Sequence, residues 1–252
     1  MSSRGPLRRL VLAIAIAAAP AWGGQAPVTR NAPAAGDPDA LYQGREQVDV
    51  AAGAAALWSA RLAEDGTDFD AAWKLARARS WIGERGTRDG RKAQYEQGLA
   101  AARTAIALEP RRPEGHFWLA VNMGSLASVS PIRAGLKYRV PIRQSLEAVI
   151  RLEPAYNRGV AYCALGKYYL QVPWLFGGSK AKAETLLRAC LAYDSGNAMG
   201  RYFLAQTLAA RDREAEARLE LEKVLAAPED AEFGPETRMY KRKAARLLKK
   251  LG

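Results

Sequence analysis

The sequence is poor in the residues from which most metal and catalytic sites are built. Its 252 residues include one histidine, His116, and two cysteines, Cys163 and Cys190. A histidine-based metal site or proton relay would depend on His116 alone, which is followed by Phe117 and Trp118. A partly buried, hydrogen-bonded histidine is the commoner outcome in such a setting. We therefore predict no catalytic residue, no metal ion and no cofactor, with a hydrolase as a formal alternative.

Proline is missing from residue 39 to residue 109, and no segment shows the alternating pattern of a strand. Alanine, leucine, arginine and glutamate dominate, which is the composition of long helices. Caps and breakers predict an all-α fold of about ten helices, with an exposed loop at 83–90 and an irregular piece between Pro131 and Pro141. The predicted ranges are roughly 41–64, 68–83, 91–108, 113–125, a helix ending at 152, then 156–171, 179–193, 197–211, 213–226 and 235–251.

A complete phosphate-binding loop is missing as well. Gly177-Gly178-Ser179-Lys180 matches only half of the pattern, because the preceding glycine and the strand that should lead into it are lacking. Ser179 is better explained as the N-cap of the helix that follows.

The N-terminus has the pattern of a cleavable export signal. Arg4, Arg8 and Arg9 precede an apolar run over 10–19, which is too short to span a bilayer. We predict a signal peptide at 1–23, a flexible leader at 24–39 and one helical domain at 40–252, located in the periplasm. No cysteine near the cleavage point offers a site for lipid attachment. Removal of 1–23 lowers the formal net charge from +12 to about +9, which favours anionic partners.

The two cysteines lie in predicted helices, and two outcomes stay open for them. In an oxidising compartment Cys163 and Cys190 could pair, whereas buried thiols that behave as small hydrophobes are commoner.

A recurring phrase closes several helices. Ile106-Ala107-Leu108-Glu109-Pro110 returns as Ile150-Arg151-Leu152-Glu153-Pro154, and more loosely at 191–195 and 225–228. Small and apolar residues precede each phrase at helical spacing, as in Gly98, Ala102 and Ala105. The equivalent sets are Ile142, Leu146, Val149; Ala183, Leu187, Cys190; and Ala217, Leu221, Val224.

This pattern resembles the tetratricopeptide repeat (TPR) over most of residues 68–228. The best-matching unit contains Tyr162, Leu165, Gly166, Tyr169 and Ala183. The resemblance implies a TPR-like right-handed superhelix of helix pairs with a concave face and a C-terminal capping helix.

Three segments carry a narrower resemblance. They are 72–78 around Trp73, 116–120 around Trp118, and Val172–Ser179 leading into Lys180. They are similar to the T-component family of tripartite ATP-independent periplasmic (TRAP) transporters, and the tryptophan neighbourhoods are also similar to regulators of microtubule dynamics. The first resemblance implies a non-enzymatic accessory protein that contacts a solute-binding protein and holds a hydrophobic small molecule in a central channel. The alternative is a general TPR scaffold that grips an extended peptide in envelope assembly.

Candidate contact residues follow from the segments that lengthen the repeats, since such insertions tend to fall on one face. For a partner or ligand they are Trp118, Tyr138, Trp174, Leu175 and Phe176. The last helix is basic, and its plain interpretation is a capping helix with a solvated face. The more specific interpretation is that the helix contacts an anionic membrane or an acidic partner through Lys241, Arg242, Lys249 and Lys250. Predicted export argues against nucleic acid as a partner.

Overall fold

The structure is a computed structural model that describes residues 36–131, 135–229 and 232–251. All regular elements in these ranges are helical, so the all-α prediction is confirmed. The eleven α-helices are α1 (Pro38–Gln43), α2 (Val48–Glu64), α3 (Phe69–Arg85), α4 (Arg88–Leu108), α5 (Pro113–Val129), α6 (Arg139–Leu152), α7 (Tyr156–Gln171), α8 (Lys180–Tyr193), α9 (Ala198–Ala209), α10 (Glu214–Ala226) and α11 (Gly234–Leu248), with one 3-10 turn at Trp174–Phe176. The predicted signal peptide and nearly all of the predicted leader lie outside the described residues.

Side-chain caps fix several of the helix starts. Asp68 accepts a hydrogen bond from the amide of Ala71, and Asn197 accepts one from the amide of Gly200. Ser179 accepts from the amide of Lys182, as its predicted N-cap role requires. Such caps satisfy backbone donors that the first turn leaves without intrahelical partners.

The helices pack as consecutive antiparallel pairs. The pairs are α3 with α4, α5 with α6, α7 with α8, and α9 with α10. Successive pairs contact one another through their first helices, in the order α3, α5, α7, α9, and α9 then contacts α11. Glycines allow the close approaches: a Cβ at Gly166 would collide with Leu187, and one at Gly98 with Asn122. All apolar members of the predicted repeat sets are buried. The core forms three successive clusters along the array, as expected when each unit contacts only its neighbours.

The predicted boundaries differ most from the structure at two places. The single helix predicted at 41–64 is divided into α1 and α2 by a turn at residues 44–47, where Arg45 enters the protein interior. The exposed loop predicted at 83–90 is almost entirely helical, because α3 continues to Arg85 and α4 begins at Arg88. Gly83 does not end α3; it makes room for the ring of Tyr95, which a Cβ would overlap.

The two cysteines form a disulfide bond, Cys163–Cys190, between α7 and α8. Of the two outcomes left open by the sequence, the structure has the paired one. The bond joins the two helices of one pair across a separation of 27 residues. That stretch contains the turn Trp174–Phe176, so the disulfide supports both helices that flank it.

The N-terminal turn and the last helix are joined by ion pairs. The guanidinium of Arg45, only 4% exposed, donates to both carboxylate oxygens of Glu236, at 3.1 and 2.7 Å, and to the carbonyl of Glu232. Arg238 donates to both carboxylate oxygens of Glu46, at 2.9 and 2.6 Å. Lys243 lies 3.3 Å from Glu84. We call these three pairs the terminal clasp; it links the first described helices to α11.

Candidate functional site

The loop between α7 and α8, residues 172–179, presents apolar side chains at the surface; we call it the apolar loop. Trp174 is 79% exposed, Leu175 69% and Phe176 39%. Loop segments normally carry polar side chains at the surface, and clustered apolar ones commonly mark a contact site. The apolar loop is therefore the first candidate site.

The backbone of the apolar loop is held in one shape by hydrogen bonds. The amide of Gly177 donates to the carbonyl of Trp174 at 3.0 Å, and the amide of Ser179 donates to the carbonyl of Tyr169 at 2.9 Å. Gly177 has a φ of 95°, a left-handed conformation that favours glycine. A Cβ at Gly178 would collide with the carbonyl of Val172. The exposed side chains thus project from an ordered turn.

The insertion before α6 contacts the apolar loop through Arg139. The guanidinium of Arg139 donates to the carbonyl of Phe176 at 3.0 Å and lies 5.6 Å from the centroid of the Phe176 ring. Tyr138, the predicted contact residue beside it, is half-buried against the middle core cluster, with the Lys137 ammonium 4.8 Å from its ring. The structure therefore brings the two inserted segments together at Arg139.

The base of α8 is fixed to the next helix pair by an ion-pair network around Glu184. Its carboxylate accepts hydrogen bonds from Arg188, Arg211 and Arg213. Burial would raise the pKa of the Glu184 carboxyl, but the hydrogen bonds from Arg188 and Arg213 outweigh it and hold the pKa below its ordinary value. Lys180 also donates to the carbonyl of Ala210. The apolar loop is thus supported on both sides.

Trp118 lies apart from the apolar loop. It is half-buried and packs against both the first and the middle core clusters, with its ring 5.1 Å from that of Phe117. Its neighbour His116 has Nε2 2.9 Å from the carbonyl of Pro110, to which the ring donates. The prediction of a hydrogen-bonded histidine is confirmed.

The predicted cations of the last helix divide between two surfaces. Lys241 lies 3.7 Å from Glu229, whereas Arg242, Lys249 and Lys250 are exposed. Of these, Lys250 alone lines a cleft between α9 and α11. We call it the basic cleft; it is lined by Tyr202, Gln206, Lys243, Arg246, Leu247 and Lys250. Prediction missed Lys243 and Arg246, although positions 243, 246 and 250 are spaced by three and four residues and so share one helical face.

Metal clusters and membrane-spanning helices are both lacking in the described residues. No group of three or more histidine, cysteine or carboxylate side chains in the described ranges could hold a metal ion. No helix in those ranges is both long enough and apolar enough to cross a membrane.

Comparison with known proteins gives a family and a fold. The model of the family described as RMD1-3, regulator of microtubule dynamics protein 1-3, matches residues 37–192. The crystal structure of TTC0263, a thermophilic TPR protein in Thermus thermophilus, is similar over 84% of this chain and 97% of its own, with 22% identity and a TM-score of 0.64. It shows the TPR-like fold that the sequence predicted.

Two crystal structures of MamA are more distant. One has 15% identity and a TM-score of 0.48, and covers 83% of this chain and 98% of its own. The other has 16% identity and a TM-score of 0.46, and covers 74% and 85%. No curated protein matches the chain.

Proposed function

Since the chain belongs to the regulator of microtubule dynamics protein 1-3 family, we propose that it is a non-enzymatic scaffold that binds a protein partner through its apolar loop. The observation that carries the proposal is the exposure of Trp174 and Leu175 on an ordered turn. Tryptophan is enriched among residues that dominate binding energy, and a turn whose backbone is already held in one shape loses little backbone entropy on binding.

The expected partner has an apolar pocket about the size of one or two side chains. Trp174 would fill it, Leu175 would extend the contact, and Phe176 would form the edge next to Arg139. A surrounding polar rim is typical of such interfaces, and Arg139 and Lys180 supply cations beside the loop.

The finer proposal is that the partner is the solute-binding protein of a TRAP-type transporter. It rests on the resemblance of three segments to T-components and on the export pattern at the N-terminus. We propose no role at microtubules for this protein, because export would separate it from such a partner. A general envelope scaffold that grips a peptide is the alternative.

Binding to a purified solute-binding protein tests the partner. We expect Trp174→Ala with Leu175→Ala to weaken the complex at least about tenfold, since anchor residues commonly contribute more than about 1.4 kcal/mol. The matched control is Leu219→Ala, because Leu219 is 54% exposed on α10, away from the loop. Equal loss in both variants would contradict a role for the apolar loop, and absence of any complex would contradict the transport role.

Location in the periplasm is supported by the Cys163–Cys190 disulfide, since such bonds persist mainly outside the reducing cytoplasm. A phosphatase fused after residue 30 tests it: we expect the enzyme to be active in cells. An inactive fusion would contradict export. The resemblance to T-components also implies a hydrophobic ligand in a central channel. Native mass spectrometry of the purified protein tests it: the ligand should remain bound as an added mass that organic solvent removes.

A further inference from the structure

The basic cleft differs from another cavity on this protein. It has a volume of about 290 Å³ and is lined by three cationic side chains, those of Lys243, Arg246 and Lys250. The other cavity, about 320 Å³, is lined by Tyr162, Ala189, Ala192 and Tyr193 and has no charged lining residue. The difference in lining indicates that the two cavities suit different ligands.

The cations of the basic cleft have little compensating charge. Lys243 lies 3.3 Å from Glu84, while Arg246 and Lys250 have no carboxylate within 4.0 Å in the described part of the chain. Other cations are paired more closely; Arg213, for example, contacts both Glu184 and Glu216. Three cations facing one carboxylate leave an excess of positive charge in the cleft.

The cations are also held in place by the opposite side of α11. Tyr240 and Ala244 are buried against the last core cluster, and the terminal clasp fixes the first turns of the helix. At its end the carbonyl of Leu251 accepts a hydrogen bond from Arg218. The charged face therefore keeps a fixed direction, toward the cleft.

Two neutral polar groups complete the lining. The amide of Gln206 donates to the hydroxyl of Tyr202 at 3.1 Å. The Tyr202 hydroxyl keeps its own hydrogen, and the Gln206 amide keeps a second one, so each can still donate to a ligand. Leu247 supplies an apolar wall. The lining thus offers three positive charges and two neutral groups that can still donate a hydrogen bond. These properties favour a ligand with negative charge and several acceptor oxygens.

We propose that the basic cleft binds a phosphate group carried by a small molecule or by a lipid headgroup. A phosphate has more acceptor oxygens than a carboxylate and carries up to two negative charges, so it can use all three cations together with the two neutral donors. This site lies on other residues than the apolar loop and does not depend on the proposed partner.

Binding of defined probes tests the proposal and identifies the source of the phosphate. Glycerol 3-phosphate and glycerate are compared by calorimetry, and phosphatidylcholine vesicles are compared with and without phosphatidic acid by flotation. We expect glycerol 3-phosphate to bind at least about tenfold more tightly than glycerate. Binding of phosphatidic acid vesicles without binding of glycerol 3-phosphate would also support the site and would identify a lipid source. Equal binding of glycerol 3-phosphate and glycerate, or no binding to either phosphate probe, would overturn the proposal.

Two double variants distinguish binding in the basic cleft from general electrostatic attraction to the basic C-terminal segment. Arg246→Gln with Lys250→Gln removes two cations of the cleft. Arg242→Gln with Lys249→Gln removes two exposed cations from the same C-terminal segment that do not line the cleft. Both change the net charge equally. We expect at least about tenfold weaker binding in the first and less than about threefold in the second. An equal loss in both would show diffuse attraction and would overturn the assigned site. Unchanged unfolding midpoints would show that both variants fold.

Discussion

Aromatic side chains serve different purposes in the N-terminal helices and in the apolar loop. Trp58 is fully buried, and the guanidinium of Arg77 lies 5.5 Å from its ring and 4.2 Å from that of Tyr42. In the apolar loop, Trp174 is 79% exposed. The same residue type therefore stabilises the fold where helices cover it, and stays available for contacts where the backbone of the apolar loop holds it at the surface.

A guanidinium lies beside an aromatic ring in both regions, but the two cation–ring contacts differ in how much they stabilise the fold. Burial raises the pKa of Tyr42 to about 12, although Arg77 and Arg45 act against that rise. Cation–ring contacts strengthen when water is excluded, from about 0.5–1 kcal/mol at exposed sites to about 2 kcal/mol at desolvated ones. The contact of Arg77 with Tyr42 therefore contributes more to stability than that of Arg139 with Phe176.

Replacing one tryptophan from each region should give the largest contrast in stability. We expect Trp58→Ala to lower the free energy of unfolding by about 3–5 kcal/mol, because it leaves a large cavity in the first core cluster. Trp174→Ala should change it by less than about 0.5 kcal/mol, since an exposed side chain loses little contact on unfolding. Urea unfolding measures both values. A similar loss in the two variants would mean that Trp174 packs against the protein.

Loss of the disulfide should have the next largest effect on stability. We expect Cys163→Ala with Cys190→Ala to lower the free energy of unfolding by about 3 kcal/mol, since the bond closes a loop of 27 residues. Reduction of the unmodified protein should give a similar loss, and it should leave the double variant unchanged. An effect of reductant on the double variant would show that something other than this disulfide responds.

Breaking the terminal clasp should have the third largest effect on stability. Arg45→Met should cost about 2 kcal/mol, because it removes a buried cation while its partner Glu236 stays 31% exposed and can be hydrated. Arg238→Met, at a more exposed pair with Glu46, should cost less, because water screens that pair. Thermal unfolding ranks the two variants, and a reversed order would contradict the importance assigned to burial.

The sequence could predict what depends on local spacing. The small and apolar residues before each closing phrase are buried as expected. The apolar loop was predicted because Trp174, Leu175 and Phe176 lie in a segment that lengthens a repeat. Contacts that depend on tertiary structure were missed. Arg45 and Glu236 lie 191 residues apart, so no local pattern connects them. The basic cleft was predicted only through Lys250, and its Tyr202 and Gln206 could be recognised only once α9 lay beside α11.

The smallest expected effect is a pH dependence at the base of α8, next to the apolar loop. Since the pKa of Glu184 in the folded protein lies below its ordinary value of 4.5, the carboxylate stabilises the fold above pH 4.5, and this contribution is lost as the pH falls through the lowered pKa. We expect Glu184→Gln to reduce stability by at most about 1 kcal/mol at neutral pH and to flatten the acid side of the stability profile. Urea unfolding between neutral and acid pH measures both.

Partner variants show whether the network around Glu184 acts as a unit. Arg213→Gln removes one donor to Glu184, so its cost should shrink in the Glu184→Gln background. Fully additive costs would mean that the ion pair contributes nothing measurable, and the ordered turn of the apolar loop would then depend on its own backbone hydrogen bonds and on Arg139. In that case the binding loss of the Trp174→Ala and Leu175→Ala variant should be the same with and without Glu184, because the loop would keep its shape without support from α8.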